Sequence, residues 1–202
     1  RDVAFALLKT QGLDVAGIES MMRAAQALGH LGDHPAIVTI YDLNEDRGQP
    51  YLVSELIDGG DLEGLLAQAP DHRLPLEQVL RIADQVLQAL AHAHQHGVVH
   101  CDLRPGNIWF TSGGNAKLGD FGLAHAINTT RRASSGMFAG TASYLSPEQA
   151  LGRPMDPRSD LYSFGALLYE MVAGRPPFQA DDPLAVISQH INIAPVAPSW
   201  HN

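Results

Sequence analysis

One stretch, residues 100–122, constrains what this chain can fold into more than any other. It reads HCDLRPGNIWFTSGGNAKLGDFG, with two short apolar runs between polar, glycine-containing ends. The runs at 108–110 and 116–118 flank Gly113 and Gly114, and this pattern predicts a pair of short strands joined by a turn. Carboxylate and amide side chains stand in the loops on either side of the predicted pair.

The composition is that of a globular protein and argues against several functions. The chain has 202 residues, of which 45% are hydrophobic and 17% charged, and it is long enough to bury a sizeable core. Its net charge of −9 argues against nucleic acid as a partner. No apolar run approaches the roughly 18–20 residues that a membrane span requires. The single cysteine, Cys101, cannot form an intramolecular disulfide, which predicts a reducing, cytoplasmic location.

The first part of the chain predicts three strands and one helix. Short apolar runs bounded by turn residues indicate the strands, the first of them buried, and apolar residues at helical spacing indicate the helix. The strands are expected over residues 3–9, 37–43 and 50–57, and the helix over 18–31. A polar turn at 44–48 joins the last two strands as a hairpin. Neither end of the chain resembles a natural terminus, so we expect a fragment of a longer protein.

The second part predicts helices on both sides of the 100–122 stretch. The character of the sequence changes at Asp58-Gly59-Gly60-Asp61, so the predicted units are residues 1–58 and 59–202. Asp61 is expected to cap a short helix that runs through Leu66. Longer helices are expected over 75–96 and 160–173, and one more short helix over 183–191. Residues 123–146 lack periodicity and predict a long loop, and loops of this length are usually functional or mobile.

Four motifs occur in a fixed order over most of the chain. They are His100-Cys101-Asp102-Leu103-Arg104-Pro105-Gly106-Asn107, Asp120-Phe121-Gly122, Gly140-Thr141 with Ser146-Pro147-Glu148, and Asp160-Leu161-Tyr162-Ser163-Phe164-Gly165. Each is weak alone, but together they resemble the eukaryotic-type (Hanks-type) serine/threonine protein kinases of bacteria. The resemblance implies an α+β, two-lobed fold. Residues 1–58 would form a partial, β-rich N-terminal lobe, and residues 59–202 a mainly helical C-terminal lobe with the catalytic loop, activation segment and central helix.

The resemblance implies transfer of the γ-phosphate of ATP to serine or threonine hydroxyls of a protein substrate, with Mg²⁺. This chemistry needs a carboxylate to orient and deprotonate the hydroxyl and a divalent metal to neutralise the phosphates. Asp102 is the implied base, and Asn107 and Asp120 are the implied Mg²⁺ ligands. Arg104 stands where the family usually has a lysine that contacts the transferred phosphate, so the charge is kept. The alternative for Asp102 and Asp120 is a pair of capping loop carboxylates.

The resemblance also assigns residues to the nucleotide. Backbone groups of Glu55 and Ile57 would face the adenine, and Asp61 would reach the ribose. Trp109 takes the place of a leucine under the base, where it could stack on the adenine or partly fill the pocket. Ala4 matches the alanine of the family's Val-Ala-x-Lys strand. The alternative for Glu55 and Ile57 is an ordinary strand end.

Three departures from the family pattern concern the nucleotide and its control. Ala6 replaces the nucleotide-binding lysine, and Lys9 is expected on the opposite face of the strand because side chains alternate. Ala24 replaces the glutamate that would pair with that lysine. Cys101 replaces an arginine that usually reads phosphate on the activation segment, so control by phosphorylation of that segment is not favoured. The glycine-rich phosphate loop is absent from residues 1–202.

Two further features have competing interpretations. Asp160 resembles the buried aspartate that holds the catalytic loop in this family, but it could also cap the helix that follows. His92, His94 and His96 resemble a metal cluster, but residues two apart on a helix do not share a face, so an ordinary helix surface is favoured.

Two hypotheses for the parent protein follow. The first is a serine/threonine kinase that acts on a protein substrate and carries fused regulatory domains. The second is a pseudokinase that scaffolds or regulates a neighbouring domain, because the lysine and glutamate expected at Ala6 and Ala24 are missing together.

Overall fold

A computed structural model describes residues 2–8, 29, 31–47, 49–121 and 142–201 of the chain. The N-terminal part is a three-stranded antiparallel sheet in the order β1-β3-β2. Its strands are β1 (Val3–Leu7), β2 (Ile40–Asp46) and β3 (Gln49–Glu55). Most of the predicted helix at 18–31, Lys9 and residues 122–141 lie outside the described residues.

The prediction that β1 is buried is wrong. Val3, Phe5 and Leu7 are 45%, 60% and 62% exposed, because they share the outer face of an edge strand that no described element covers. Phe5 stacks on Tyr51 of β3, with ring centroids 4.7 Å apart. Alternation along the strand places Ala4 and Ala6 on the other face, which lines a cleft.

The hairpin between β2 and β3 is tighter than the predicted turn. Asn44, Glu45 and Asp46 stay in register with Tyr51, Pro50 and Gln49, so the predicted turn residues continue the strand. Arg47, with φ of 50°, begins the turn. β2 also starts three residues later than predicted, and Ile37 instead forms an isolated parallel bridge with Leu118.

The rest of the described chain is mainly helical around one short strand pair. The helices are α1 (Leu62–Gln68), α2 (Leu76–Gln95), α3 (Pro147–Ala150), α4 (Pro157–Ala173) and α5 (Pro183–Asn192). The strands β4 (Ile108–Phe110) and β5 (Ala116–Leu118) pair antiparallel, as predicted. Short 3₁₀ turns occupy Pro70–His72, Pro105–Asn107, Ala142–Tyr144 and Pro198–Trp200.

The helix boundaries follow from local caps. The Asp61 side chain accepts a hydrogen bond from Gly64 N at 2.7 Å and caps α1, as predicted. Gly174 ends α4 in the left-handed region, with φ of 75°, where glycine avoids the strain of a side chain. Asp156, and not Asp160, is the N-cap of α4, so the helix begins before the predicted position and the capping alternative for Asp160 is wrong.

One core joins the helices to the strand pair. The predicted apolar stripe of α2 is buried along its whole length: Val79, Ile82, Ala83, Val86, Leu90 and Ala93. It packs in the same core as Leu167 and Met171 of α4 and Leu118 of β5, whose side chains are each at most 1% exposed. Burying one such aliphatic side chain stabilises the fold by about 1.5–3 kcal/mol.

The segment between the sheet and the helices is fixed to β4. Gly59 N donates to Phe110 O, and Phe110 N donates to Gly60 O, both at 2.8 Å. A β-carbon on Gly59 would lie 2.4 Å from Phe110 O, so only glycine fits this close approach. The boundary between units at residues 58 and 59 stays a prediction.

Candidate active site

A cleft of about 560 Å³ lies between the sheet and the strand pair. Ala6, Leu52 and Ile57 contribute to its apolar walls, while Asp120 and Trp109 line it from the opposite side. A cavity of this size, mainly apolar with a few polar groups, is the usual form of a small-molecule site.

Asp160 fixes the backbone at the start of the 100–122 stretch. Its carboxylate is 1% exposed and accepts hydrogen bonds from His100 N and Cys101 N, both at 2.8 Å. His94 Nε2 lies 2.7 Å from Oδ2 of the same carboxylate. A buried carboxylate needs such partners, because burial without them is costly. The predicted contact between Asp160 and the loop backbone is therefore confirmed.

His100 connects the two loops that flank the strand pair. Its ring is fully buried, with Nε2 2.9 Å from Gly119 O, while Nδ1 accepts a hydrogen bond from Asp102 N at 3.2 Å. The ring also packs against Phe121, with centroids 4.6 Å apart. No role for the His100 side chain was predicted from the sequence.

Asn107 holds Asp102 in place. Its Nδ2 donates to the Asp102 backbone oxygen at 2.7 Å and to the Asp102 carboxylate at 3.2 Å. Its backbone oxygen accepts from Gly119 N at 3.0 Å. No described group donates to Asn107 Oδ1, which leaves that oxygen as the atom a cation can use. Desolvation raises the pKa of Asp102, and the charge of Asp120 raises it further. His100, the hydrogen bond from Asn107 and the charge of Arg104 lower it in part.

Asp120 faces the cleft in a strained backbone conformation. Its φ of 57° is in the left-handed region, which costs a non-glycine residue about 1–2 kcal/mol. The Asp120 side chain is exposed to solvent in the cleft. The surrounding protein nevertheless desolvates the carboxylate in part and so raises its pKa, while the charges of His100 and Arg104 lower it. The described helix N-caps involve neither Asp102 nor Asp120.

Arg104 points toward α1. Its Nη2 lies 3.2 Å from the carboxylate of Glu63, which is exposed, while Arg104 itself is partly buried. No sequence signal pointed to Glu63 as its partner. The predicted contact of Arg104 with a transferred phosphate stays a prediction.

The end of β3 borders the cleft with Glu55 and Ile57. Glu55 N donates to Thr39 O at 2.8 Å, so its amide is used inside the sheet, while its carboxylate accepts from Lys117 Nζ at 2.7 Å. Ile57 N has no hydrogen-bond partner among the described residues and lies at the cleft. Lys117 was missed because its partner is 62 residues away in the chain.

Trp109 lines the cleft and is half-buried. A β-carbon on Gly119 would lie 3.4 Å from Trp109 Cδ1 and 3.2 Å from Val38 Cγ2, so glycine makes room for the indole. The backbones of Asp61 and Trp109 form an isolated antiparallel β-bridge, and the Asp61 side chain caps α1. The contact of Asp61 with a ribose stays a prediction.

The cleft wall from β1 carries no cation. Ala4 and Ala6 line the cleft, and none of its described lining residues is lysine or arginine. Lys9, Ala24, Gly122 and Thr141 lie outside the described residues.

The histidines of α2 have separate partners. His94 bonds to Asp160, whereas His92 stacks on His34, with ring centroids 4.6 Å apart, and lies tilted against His96 at 4.4 Å. Within the described chain, no three His, Cys, Asp or Glu side chains are placed to hold a metal ion.

The fold and this site define a class of protein. The protein kinase domain family matches residues 3–200, and the chain belongs to that family. Protein kinases use ATP with Mg²⁺ and act on protein substrates. None of the described helices has the length and apolar character to cross a membrane.

Individual relatives are bacterial serine/threonine kinases. The chain is 45% identical, over 88% of its length, to a probable serine/threonine-protein kinase of Streptomyces coelicolor, of which the match covers 27%. It is 43% identical over its whole length to the serine/threonine-protein kinase PksC of the same organism, covering 38% of that protein. It is 39% identical over 98% of its length to the serine/threonine-protein kinase PknB of Mycobacterium leprae, covering 32% of it. The chain therefore spans roughly a third of these relatives.

Proposed function

We propose that the parent protein is a serine/threonine kinase that transfers the γ-phosphate of ATP to a protein substrate. The observation that carries this proposal is the grouping of Asp102 and Asn107 with Asp120, which lines the apolar cleft. Asn107 bonds to both the backbone and the carboxylate of Asp102. The backbone oxygen of Asn107 also accepts a hydrogen bond from Gly119 N, and Gly119 directly precedes Asp120.

Asp102 is the proposed base. As the new bond forms between the substrate hydroxyl oxygen and the γ-phosphorus, the bond from that phosphorus to the bridging oxygen breaks and ADP leaves. The hydroxyl proton passes to the Asp102 carboxylate. The hydrogen bond from Asn107 Nδ2 orients this carboxylate, and partial desolvation makes it a better proton acceptor than a free aspartate.

Asn107 and Asp120 fit a magnesium ion by their chemistry. They offer an amide oxygen and a carboxylate, which are ligands that Mg²⁺ prefers. The ion would neutralise phosphate charge during transfer. Arg104, whose charge acts on both Asp102 and Asp120, would add positive charge toward the transferred phosphate.

The nucleotide would occupy the cleft next to the end of β3. Ile57 N supports this placement, because it lies at the cleft without a described hydrogen-bond partner. Glu55 would contribute its backbone oxygen, which also accepts from Ser54 Oγ at 3.4 Å, since its amide bonds to Thr39. Trp109 would lie against the base, Ala4 and Ala6 would form the opposite wall, and Asp61 would reach the ribose.

The second candidate function is a pseudokinase scaffold. Ala6 lines the cleft at the position of the missing lysine, and the described lining holds no other lysine or arginine. Such a cleft would hold phosphates weakly, since a cation is the usual partner of a phosphate oxygen.

A phosphotransfer assay on the full-length protein tests the proposal. Mg-ATP and a generic serine/threonine acceptor should give phosphoprotein that Asp102→Asn abolishes. The double variant Ala6→Lys with Ala24→Glu should raise the rate if the missing pair limits activity. Absence of transfer with every divalent metal, in both the wild type and the double variant, would favour the scaffold.

We also propose that the parent protein has further domains and that this segment is cytoplasmic. The chain spans roughly a third of its relatives, which supports further, regulatory domains in the parent protein. A cytoplasmic location for this segment rests on its single cysteine and on the cytoplasmic supply of ATP.

A further inference from the structure

Gln149 on α3 connects two parts of the site that are 48 residues apart in the chain. Its Oε1 accepts a hydrogen bond from Ser146 N at 3.0 Å, which completes a capping box at the start of α3. Its Nε2 donates to Cys101 O at 2.7 Å. The capping box uses only the oxygen, so the nitrogen is free to serve the loop.

Cys101 needs such support. Its φ of 64° is in the left-handed region, which a residue with a side chain adopts only when its surroundings hold it there. Asp160 holds the Cys101 amide at 2.8 Å, and Gln149 holds the carbonyl. Cys101 is therefore fixed on both sides: Asp160 of α4 holds the peptide that precedes it, and Gln149 of α3 holds the peptide that leads into Asp102.

The side chain of Cys101 makes no link to α3. Its thiol donates to Val99 O at 3.5 Å, inside its own loop. Burial, with Asp160 and Asp102 nearby, raises the pKa of the thiol to about 12, so it stays neutral. The connection between residues 142–150 and the loop at Cys101 thus runs through the backbone carbonyl and the Gln149 amide.

We propose that Gln149 is a positioning residue that couples the 142–150 segment to the orientation of Asp102. The inference rests on the proposed function, in which Asp102 is the base. It adds that the acceptor lies against Tyr144 and Pro147 of this segment, and the fully buried Ser146 between them does not contact it. A shift of that segment on acceptor binding would act on the Cys101 carbonyl and so on the next residue, Asp102.

Two variants test the amide donor. Gln149→Glu keeps the oxygen that accepts from Ser146 N but removes the donor to Cys101 O, and Gln149→Met removes both without adding charge. In the full-length protein each should lower kcat about tenfold, the loss expected for one hydrogen bond of this kind, and leave KM for ATP within about twofold.

Ser146→Ala is the matched control. It removes the hydroxyl, which accepts from Gln149 N at 3.4 Å and also hydrogen-bonds to the Glu148 carboxylate, but it keeps the backbone donor to Gln149 Oε1. We therefore expect kcat to stay within about twofold of wild type. A control variant that loses kcat as fully as Gln149→Glu would assign the effect to the helix cap and overturn the proposal.

Amide hydrogen exchange supplies a readout that does not need activity. In peptides covering 98–106, exchange should be about tenfold faster in both Gln149 variants and unchanged in Ser146→Ala. Unchanged exchange and unchanged kcat in the Gln149 variants would overturn the positioning role. A wild type that transfers no phosphate would overturn the proposed function, while the exchange measurement would still decide whether Gln149 holds the loop.

Discussion

The Lys117 ammonium lies 2.7 Å from the Glu55 carboxylate and joins β5 to the last residue of β3. Both side chains are largely shielded, at 13% and 23% exposed, and Lys117 Nζ also lies 3.4 Å from Ile37 O. The pair therefore bridges the sheet and the strand pair on either side of the cleft. A shielded ion pair of this kind loses more when one partner is removed than a surface pair does.

We expect Lys117→Met to lower the free energy of unfolding by about 1–2 kcal/mol, because Glu55 keeps its charge without its cation. Chemical denaturation measures the change. The exposed Arg81→Met is the control, and its effect should stay within about 0.5 kcal/mol. If adding Glu55→Gln to Lys117→Met recovers none of the loss, the pair does not act as a unit.

Asp160→Asn should lower the free energy of unfolding by about 3 kcal/mol. The amide nitrogen cannot accept from His100 N or Cys101 N, so one buried donor loses its partner, and His94 loses the charge beside it. Asp156→Asn on the same helix is the control, since asparagine caps helices as well as aspartate. Equal stability of the two variants in thermal denaturation would contradict the anchoring role.

The His34 contribution to stability should fall as the pH drops below about 6.5, the ordinary pKa of histidine. Burial, followed by the charges of His92 and Lys117, lowers the pKa of His34, so the folded protein disfavours its protonated form. The unfolded chain then binds more protons in this range, and the free energy of unfolding rises with pH.

His34→Asn isolates this effect, because it removes the titrating ring and keeps an acceptor near Ala36 N. Between pH 6.5 and 5 its unfolding free energy should fall less steeply than that of the wild type. The comparison is needed because the raised pKa values of Asp102 and Asp120 act in the opposite direction, stabilising the folded state as these groups protonate. Parallel curves for the two proteins would contradict the assignment.

Gly59→Ala should destabilise the protein more than Gly60→Ala. The β-carbon at 59 would meet Phe110 O at 2.4 Å, a backbone atom that cannot move aside, so we expect a loss of about 3 kcal/mol. At Gly60, with φ of 79°, the space is open and only backbone strain of about 1–2 kcal/mol applies. Thermal denaturation of the two variants ranks the costs, and the reverse order would show that the segment can separate from β4.

Periodic apolar segments and turn residues were sufficient to predict most elements. The stripe from Val79 to Ala93 predicted α2, and Gly113 with Gly114 predicted the turn between β4 and β5. These signals are local: an apolar face must be buried, and each turn conformation favours particular residues. The same reasoning failed for β1, because an apolar run does not say whether a neighbouring element covers both faces.

The sequence by itself determined the family of the fold and predicted which side chains bear the chemistry, because the motif residues and their order are local properties of the chain. Only the tertiary structure decided how Asp102 is held. The bonds from His100 to Gly119, from Asp160 to Cys101 and from Gln149 to Cys101 join segments that are 19 to 59 residues apart. Such bonds depend on where helices and strands pack against one another, which no local pattern encodes.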